Sequence, residues 1–209
     1  HNRLERIASN GIMLGQSTDA ERLVDGKYES YDGVIRDNLL STIGWACLAT
    51  ASSMNVHIHH NTCIDTGLTL HGAVLVSNES EIGQAGRGVA IDHNLFIGRS
   101  RLPMIKVVER AMEDPATLRI NRNLYWTCDG AAPRFTLRDR GLESVPIERW
   151  RSATGQDRNS RVADPGLEGE PPTPRIGSPA LDTRWLEGPT DDGCTARPPR
   201  VGARPPCPR

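Results

Sequence analysis

The side chains in this sequence that could do chemistry fall into two groups. The first is basic: Arg99, Arg101 and Lys106 lie close together and are followed by Glu109. A lysine so placed can take a proton from a carbon next to a carboxylate, and a neighbouring arginine can stabilise the charge that develops. His71, just before Gly72, is a candidate to contact the same substrate. Acids crowd three stretches: Asp19, Glu21, Asp25, Glu29 and Asp32, then Glu79 and Glu81, then Glu109, Glu113 and Asp114. Two of these, Glu79 and Glu109, could instead flank a glycosidic bond at the ~5 to 9.5 Å that hydrolysis uses. The acidic stretches could also hold Ca2+ through hard oxygen ligands. No spacing matches a calcium-loop motif, so no metal ligand is assigned.

The second group is histidine. His60 and His93 each precede an Asn, Asp37 and Arg122 hold the same place in two related segments, and His59 stands where Asp92 stands. Such a set invites a metal or acid–base reading. The turn that carries it reads as convex and without a pocket, so the expectation is a polar surface ladder in which His59 and His60 face water.

These residues are positioned by a repeat. Val56-His57-Ile58-His59-His60-Asn61 returns as Val89-Ala90-Ile91-Asp92-His93-Asn94 and as Leu118-Arg119-Ile120-Asn121-Arg122-Asn123. With Asn2 and Asn38 the asparagines are spaced 36, 23, 33 and 29 residues apart. A second apolar series, Ile12/Leu14, Ala46/Leu48, Val74/Val76, Ile105/Val107 and Phe135/Leu137, keeps the same period, with first members 34, 28, 31 and 30 apart. A third follows each Asn, as in Leu95-Phe96-Ile97 and Leu124-Tyr125-Trp126. Apolar residues recur at i and i+2, which marks strands and excludes a helical repeat. The pattern predicts a parallel solenoid of three strands per coil, with about five coils. Stacking at the usual strand spacing turns equivalent residues into columns. Each Asn then bonds to the Asn above and below it, and Phe96 and Tyr125 share one column.

This repeat resembles the right-handed parallel β-helix repeat proteins, the pectate-lyase-like and other carbohydrate-active proteins, over residues 1–137. Downstream, Ile147-Glu148-Arg149-Trp150, Gly155-Gln156-Asp157-Arg158-Asn159-Ser160, Ala163-Asp164-Pro165 and Gly177-Ser178-Pro179-Ala180-Leu181-Asp182 look like the ending of secreted bacterial proteins of that kind. The resemblance implies an all-β, right-handed parallel β-helix with an irregular, Pro-rich C-terminal cap over 138–186, and the Pro, Gly, Arg and Asp composition with few apolar residues predicts a mobile tail over 187–209. It also implies a polysaccharide lying along one outer sheet. For a lyase acting on uronates, Lys106 would be the base, with Arg101 and Glu109 beside it and His71, Glu79 and Arg99 contacting substrate. A glycoside hydrolase and a non-catalytic carbohydrate-binding or cell-surface module are the alternatives. The implied location is secreted, periplasmic or at a bacterial cell surface, and the implied state is a monomer.

Composition bounds these readings. The 209 residues suit one domain with an appendage, and a net charge of −1 with pI near 6.7 gives no reason to expect nucleic acid or a membrane surface as partner. No apolar run approaches the ~18 residues of a membrane span. Only Lys27 and Lys106 of the 25 basic residues are lysine, which suggests a high-GC bacterial source. Opening on His1 inside a repeat, the sequence reads as a processed chain or a fragment without its upstream coils. Of the five cysteines, Cys47, Cys63 and Cys128 lie in apolar segments and read as small hydrophobes. Cys194 and Cys207, in a Pro- and Arg-rich stretch, could close a disulfide.

Overall fold

The computed structural model describes residues 2–16, 21, 23, 27–78, 85–99, 101–182 and 202. Short strands dominate it, and three sheets hold nearly all of them. The first sheet stacks β1 (Arg3–Ile7), β5 (Leu39–Ile43), β8 (Thr62–Thr66), β11 (Leu95–Gly98), β14 (Leu124–Thr127) and β17 (Arg161–Val162). The second holds β3 (Ser30–Tyr31), β4 (Val34–Arg36), β7 (Ser53–His59), β10 (Arg87–Asp92) and β13 (Leu118–Asn121). The third stacks β2 (Ile12–Leu14), β6 (Leu48–Ala51), β9 (Val74–Ser77), β12 (Ile105–Val107), β15 (Arg134–Leu137) and β16 (Leu142–Pro146).

From β6 to β14 the chain visits the third, second and first sheets in turn, and each return lays a strand parallel to its predecessor. Parallel neighbours need a long crossover. Here the strands of the other two sheets supply it. Among the described residues no helix is long and apolar enough to cross a membrane.

The inward columns make the core. Ile35, Ile58, Ile91 and Ile120 are in register in the second sheet, and Leu48, Val74, Ile105 and Phe135 in the third. All are buried, each contributing roughly 1.5–3 kcal/mol by leaving water. Phe96 stacks on Tyr125 at 5.7 Å, the shared column expected from the repeat. The cysteine reading needs correcting. Cys47 and Cys63 are a disulfide, not two free thiols, because the residue before β6 and the second residue of β8 meet across the core. Cys128 is free, and Cys194 and Cys207 lie outside the described residues.

The asparagines form one ladder. Asn2 Nδ2 donates to Asn38 Oδ1 at 2.8 Å, Asn38 to Asn61 at 2.9 Å, Asn61 to Asn94 at 3.0 Å and Asn94 to Asn123 at 3.1 Å. The residue before each rung, Asp37, His60, His93 or Arg122, has φ between 54 and 58°, the left-handed conformation that Asp and His tolerate better than most. That corner turns the chain from the second sheet into the first.

The ladder ends in the cap, where Asn123 N–H donates to Ser160 Oγ at 2.9 Å. Ser160 donates in turn to Asp157, which also receives the Tyr125 hydroxyl at 3.0 Å and the Trp150 indole N–H at 2.8 Å. Burial pushes the Asp157 carboxyl above its ordinary value, against the pull of those donors. Trp150 belongs to α1 (Ile147–Thr154) and stacks on Phe135 at 5.5 Å, closing the end of the core. β16 runs antiparallel to β15 and ends the third sheet. Of the segment expected to be mobile only Gly202 is described; it is buried, and its N–H donates to the His93 carbonyl at 2.9 Å.

Candidate functional site

Lys106 is the middle residue of β12, in an outward column that runs Met13, Ala49, Leu75, Lys106, Thr136. Ala49 and Leu75 form a small apolar cluster with Ala46, separate from the main core, with Met13 and Val108 packed against it. The ammonium therefore stands beside apolar surface. Burial first, and the Arg138 charge second, lower its pKa below the ordinary lysine value, while Glu143 pulls the other way.

His71 belongs to the same face. Burial lowers its pKa, and the charge of Lys106 lowers it further. Its backbone is left-handed, as is that of Gly72, where a Cβ would lie 1.8 Å from the Pro103 carbonyl oxygen. Only glycine lets the chain turn here and aim His71 along the sheet. The indole of Trp45, 39% exposed, meets the imidazole edge to face at 5.8 Å, and His71 Nδ1 is buried without a partner among the described residues.

The other expected residues are more scattered. Arg101 and Glu109 are exposed on turns before and after β12. Arg99 turns to the first sheet, where its Nε donates to Asp65 at 3.0 Å. Glu79 lies outside the described residues, as do Asp19, Asp25 and Glu81. Glu113 accepts from the Tyr28 hydroxyl at 2.9 Å, and Asp32 from Asn55 at 3.0 Å. Among the described residues no three His, Cys, Asp or Glu side chains converge to hold a metal ion.

The histidines are not where the sequence put them. His59, His60 and His93 are only 6%, 3% and 4% exposed, so the expected water-facing ladder is wrong. The left-handed corner folds the rings onto one another: His60 stacks on His93 at 5.0 Å, and His57 and His59 lie 4.2 Å apart. Asp92 ties them together, bonded to His57 Nε2 at 2.8 Å and to His93 Nδ1 at 2.6 Å. Burial alone would raise its carboxyl. The bonds and charge of the two imidazoles outweigh that and hold it well below the usual carboxylate range. An ionised carboxylate only accepts, so His57 Nε2 and His93 Nδ1 carry the protons.

Beside this network lies a cavity of about 640 Å³ on the outer face of the second sheet. Its floor follows from register: His57, Ala90 and Arg119 form one outward column, so a methyl group separates two long side chains. Arg122 and Asn121 extend the lining, and the cap loop adds Arg158 and Asn159. Gln156 anchors that loop by pairing with β13 as a strand would, accepting from Ile120 N–H at 2.7 Å and donating to the Leu118 carbonyl at 2.9 Å. Sequence reasoning missed Trp45 and this hollow. The small residue at Ala90 between polar copies was the one available signal for the second. Neither known family models, nor curated proteins, nor solved structures give a match to the chain.

Proposed function

We propose that the three stacked sheets form a right-handed parallel β-helix, and that the protein cleaves a uronate-containing polysaccharide by β-elimination on the outer face of the third sheet. The observation that carries this reading is Lys106, half-buried at mid-strand with its pKa lowered, on the same face as His71 and the exposed indole of Trp45. A lowered pKa leaves more of the amine unprotonated and able to act as a base. Lys106 Nζ takes the proton on the carbon next to the sugar carboxylate. The released pair forms a carbon–carbon double bond as the bond to the glycosidic oxygen breaks, and that oxygen is then protonated by the new ammonium or by water. Arg138, whose charge Lys106 feels, pairs with Glu143 at 3.0 Å and would turn from it to the substrate carboxylate. Trp45 offers a flat apolar surface to a sugar ring. The Cys47–Cys63 disulfide suits an oxidising compartment and supports a secreted or periplasmic location.

The test is to incubate the full chain with pectate, alginate and a glycosaminoglycan and follow the ultraviolet absorbance of the new double bond. Absorbance that rises with wild type and not with Lys106→Ala supports the proposal. New reducing ends without that absorbance would make the protein a hydrolase, and binding without either would make it a carbohydrate-binding module.

A further inference from the structure

We infer that the hollow over β7, β10 and β13 is a second binding site, for a short stretch of acidic oligosaccharide, on a different sheet from Lys106. The inference takes only the chemical class of its ligand from the reading above; its location rests on the hollow itself.

Charge is the first argument. Arg119, Arg122 and Arg158 all line the cavity, brought there from β13, the corner after it and the cap loop. Among the described residues none of the three has a carboxylate within 4.0 Å. Asp92 is the acid in the lining, and it is committed to His57 and His93. In a chain with a net charge of −1, this hollow concentrates positive charge.

The second argument is an unmet hydrogen bond. Arg122 Nε is buried without a partner among the described residues, and the left-handed backbone at φ 54° keeps the residue in place. A buried donor left unpaired is costly, which favours a shift of this guanidinium onto an anionic oxygen in the hollow that the residue lines. Guanidinium groups match carboxylate and sulfate with two parallel hydrogen bonds. Opposite them, His57 lines the hollow with its Nε2 bonded to Asp92.

The lining also argues against nucleic acid. Unpaired bases are held by stacking on aromatic side chains, and no Phe, Tyr or Trp is among these residues.

The test uses the full chain carrying Trp45→Ala and Lys106→Ala, so that the other face does not contribute. Titration calorimetry with a size-defined oligogalacturonate is compared with a neutral oligosaccharide of equal length and a single-stranded oligonucleotide of equal charge. The acidic sugar should bind, the neutral one should not, and salt should weaken the binding. Adding Arg119→Glu and Arg158→Glu, both exposed positions, should weaken it by about tenfold or more, the equivalent of one charged hydrogen bond. Thermal melting of that variant confirms that it is folded. Affinity unchanged by the two reversals, equal affinity for the neutral sugar, or tighter binding of the oligonucleotide would each overturn the inference. Failure of elimination in the wild-type protein would leave this result standing, and failure here would leave elimination untouched.

Discussion

On the third sheet a single cation sits in a column of Met13, Ala49, Leu75 and Thr136; on the second, imidazoles, a carboxylate and arginines occupy neighbouring columns. The same scaffold thus makes two electrostatic environments. Beside apolar surface Lys106 loses hydration and feels Arg138, which the charge of Glu143 does not offset, so its pKa falls and it becomes a usable base. Charges that bond to one another stay ionised in spite of burial, as Asp92 does, and so serve to hold and orient. Position in a column therefore says less about chemistry than the residues one rung away.

Lys106→Ala tests the contrast most strongly. Elimination should fall by roughly 10²–10⁴-fold, the usual worth of a positioned base, while calorimetry shows sugar binding at the second sheet unchanged. In wild type, the rate should climb with pH through a pKa below 10.5, because a lysine with a lowered pKa releases its proton earlier. Asn94→Ala attacks what the two faces share. It leaves Asn61 N–H without its side-chain acceptor, takes one of three acceptors from Asn61 Nδ2 and removes the side-chain donor to the Ile58 carbonyl, and should cost about 2–4 kcal/mol in urea unfolding. Both faces should be lost in one transition.

Asp92→Asn should lower stability by about 1–2 kcal/mol at neutral pH. The folded pKa of Asp92 is depressed, so its contribution is present above the ordinary value of 3.8 and is lost as pH falls below it. Unfolding midpoints of wild type and variant should therefore converge in acid, and a constant gap would separate Asp92 from the imidazoles. Trp45→Ala should have the smallest effect, weakening substrate binding at the third sheet severalfold, about 1 kcal/mol, and leaving the second sheet alone.

Much of the scaffold was legible in the sequence, because a column repeats one residue type. Asn38, Asn61, Asn94 and Asn123 announce the ladder, and alternating apolar residues announce the strands. Ser160 was hidden because it continues the ladder with a different side chain. The Cys47–Cys63 pairing was hidden for another reason: it joins two sheets across the core, and one-dimensional spacing reports only neighbours along a column. The histidines looked exposed because a corner reads as convex, yet the left-handed backbone stacks the rings of successive corners. Lys106 and His71, singled out for their chemistry, share a face. Arg158 was out of reach, since it enters the hollow from the cap.

The way the ladder stops has a consequence for the size of that hollow. Ser160 Oγ accepts the last amide N–H and donates its hydroxyl hydrogen bond to Asp157, so propagation ends in the cap that also carries Arg158. A coil inserted between Asn123 and Ser160 would move Arg158 one strand spacing, about 4.8 Å, away from Arg119. Deleting the coil that ends in Asn123 would bring the cap directly onto β10 and would remove β12 and β13, and with them Lys106, Arg119 and Arg122. The distance between β13 and the cap across the hollow is therefore set in whole strand spacings.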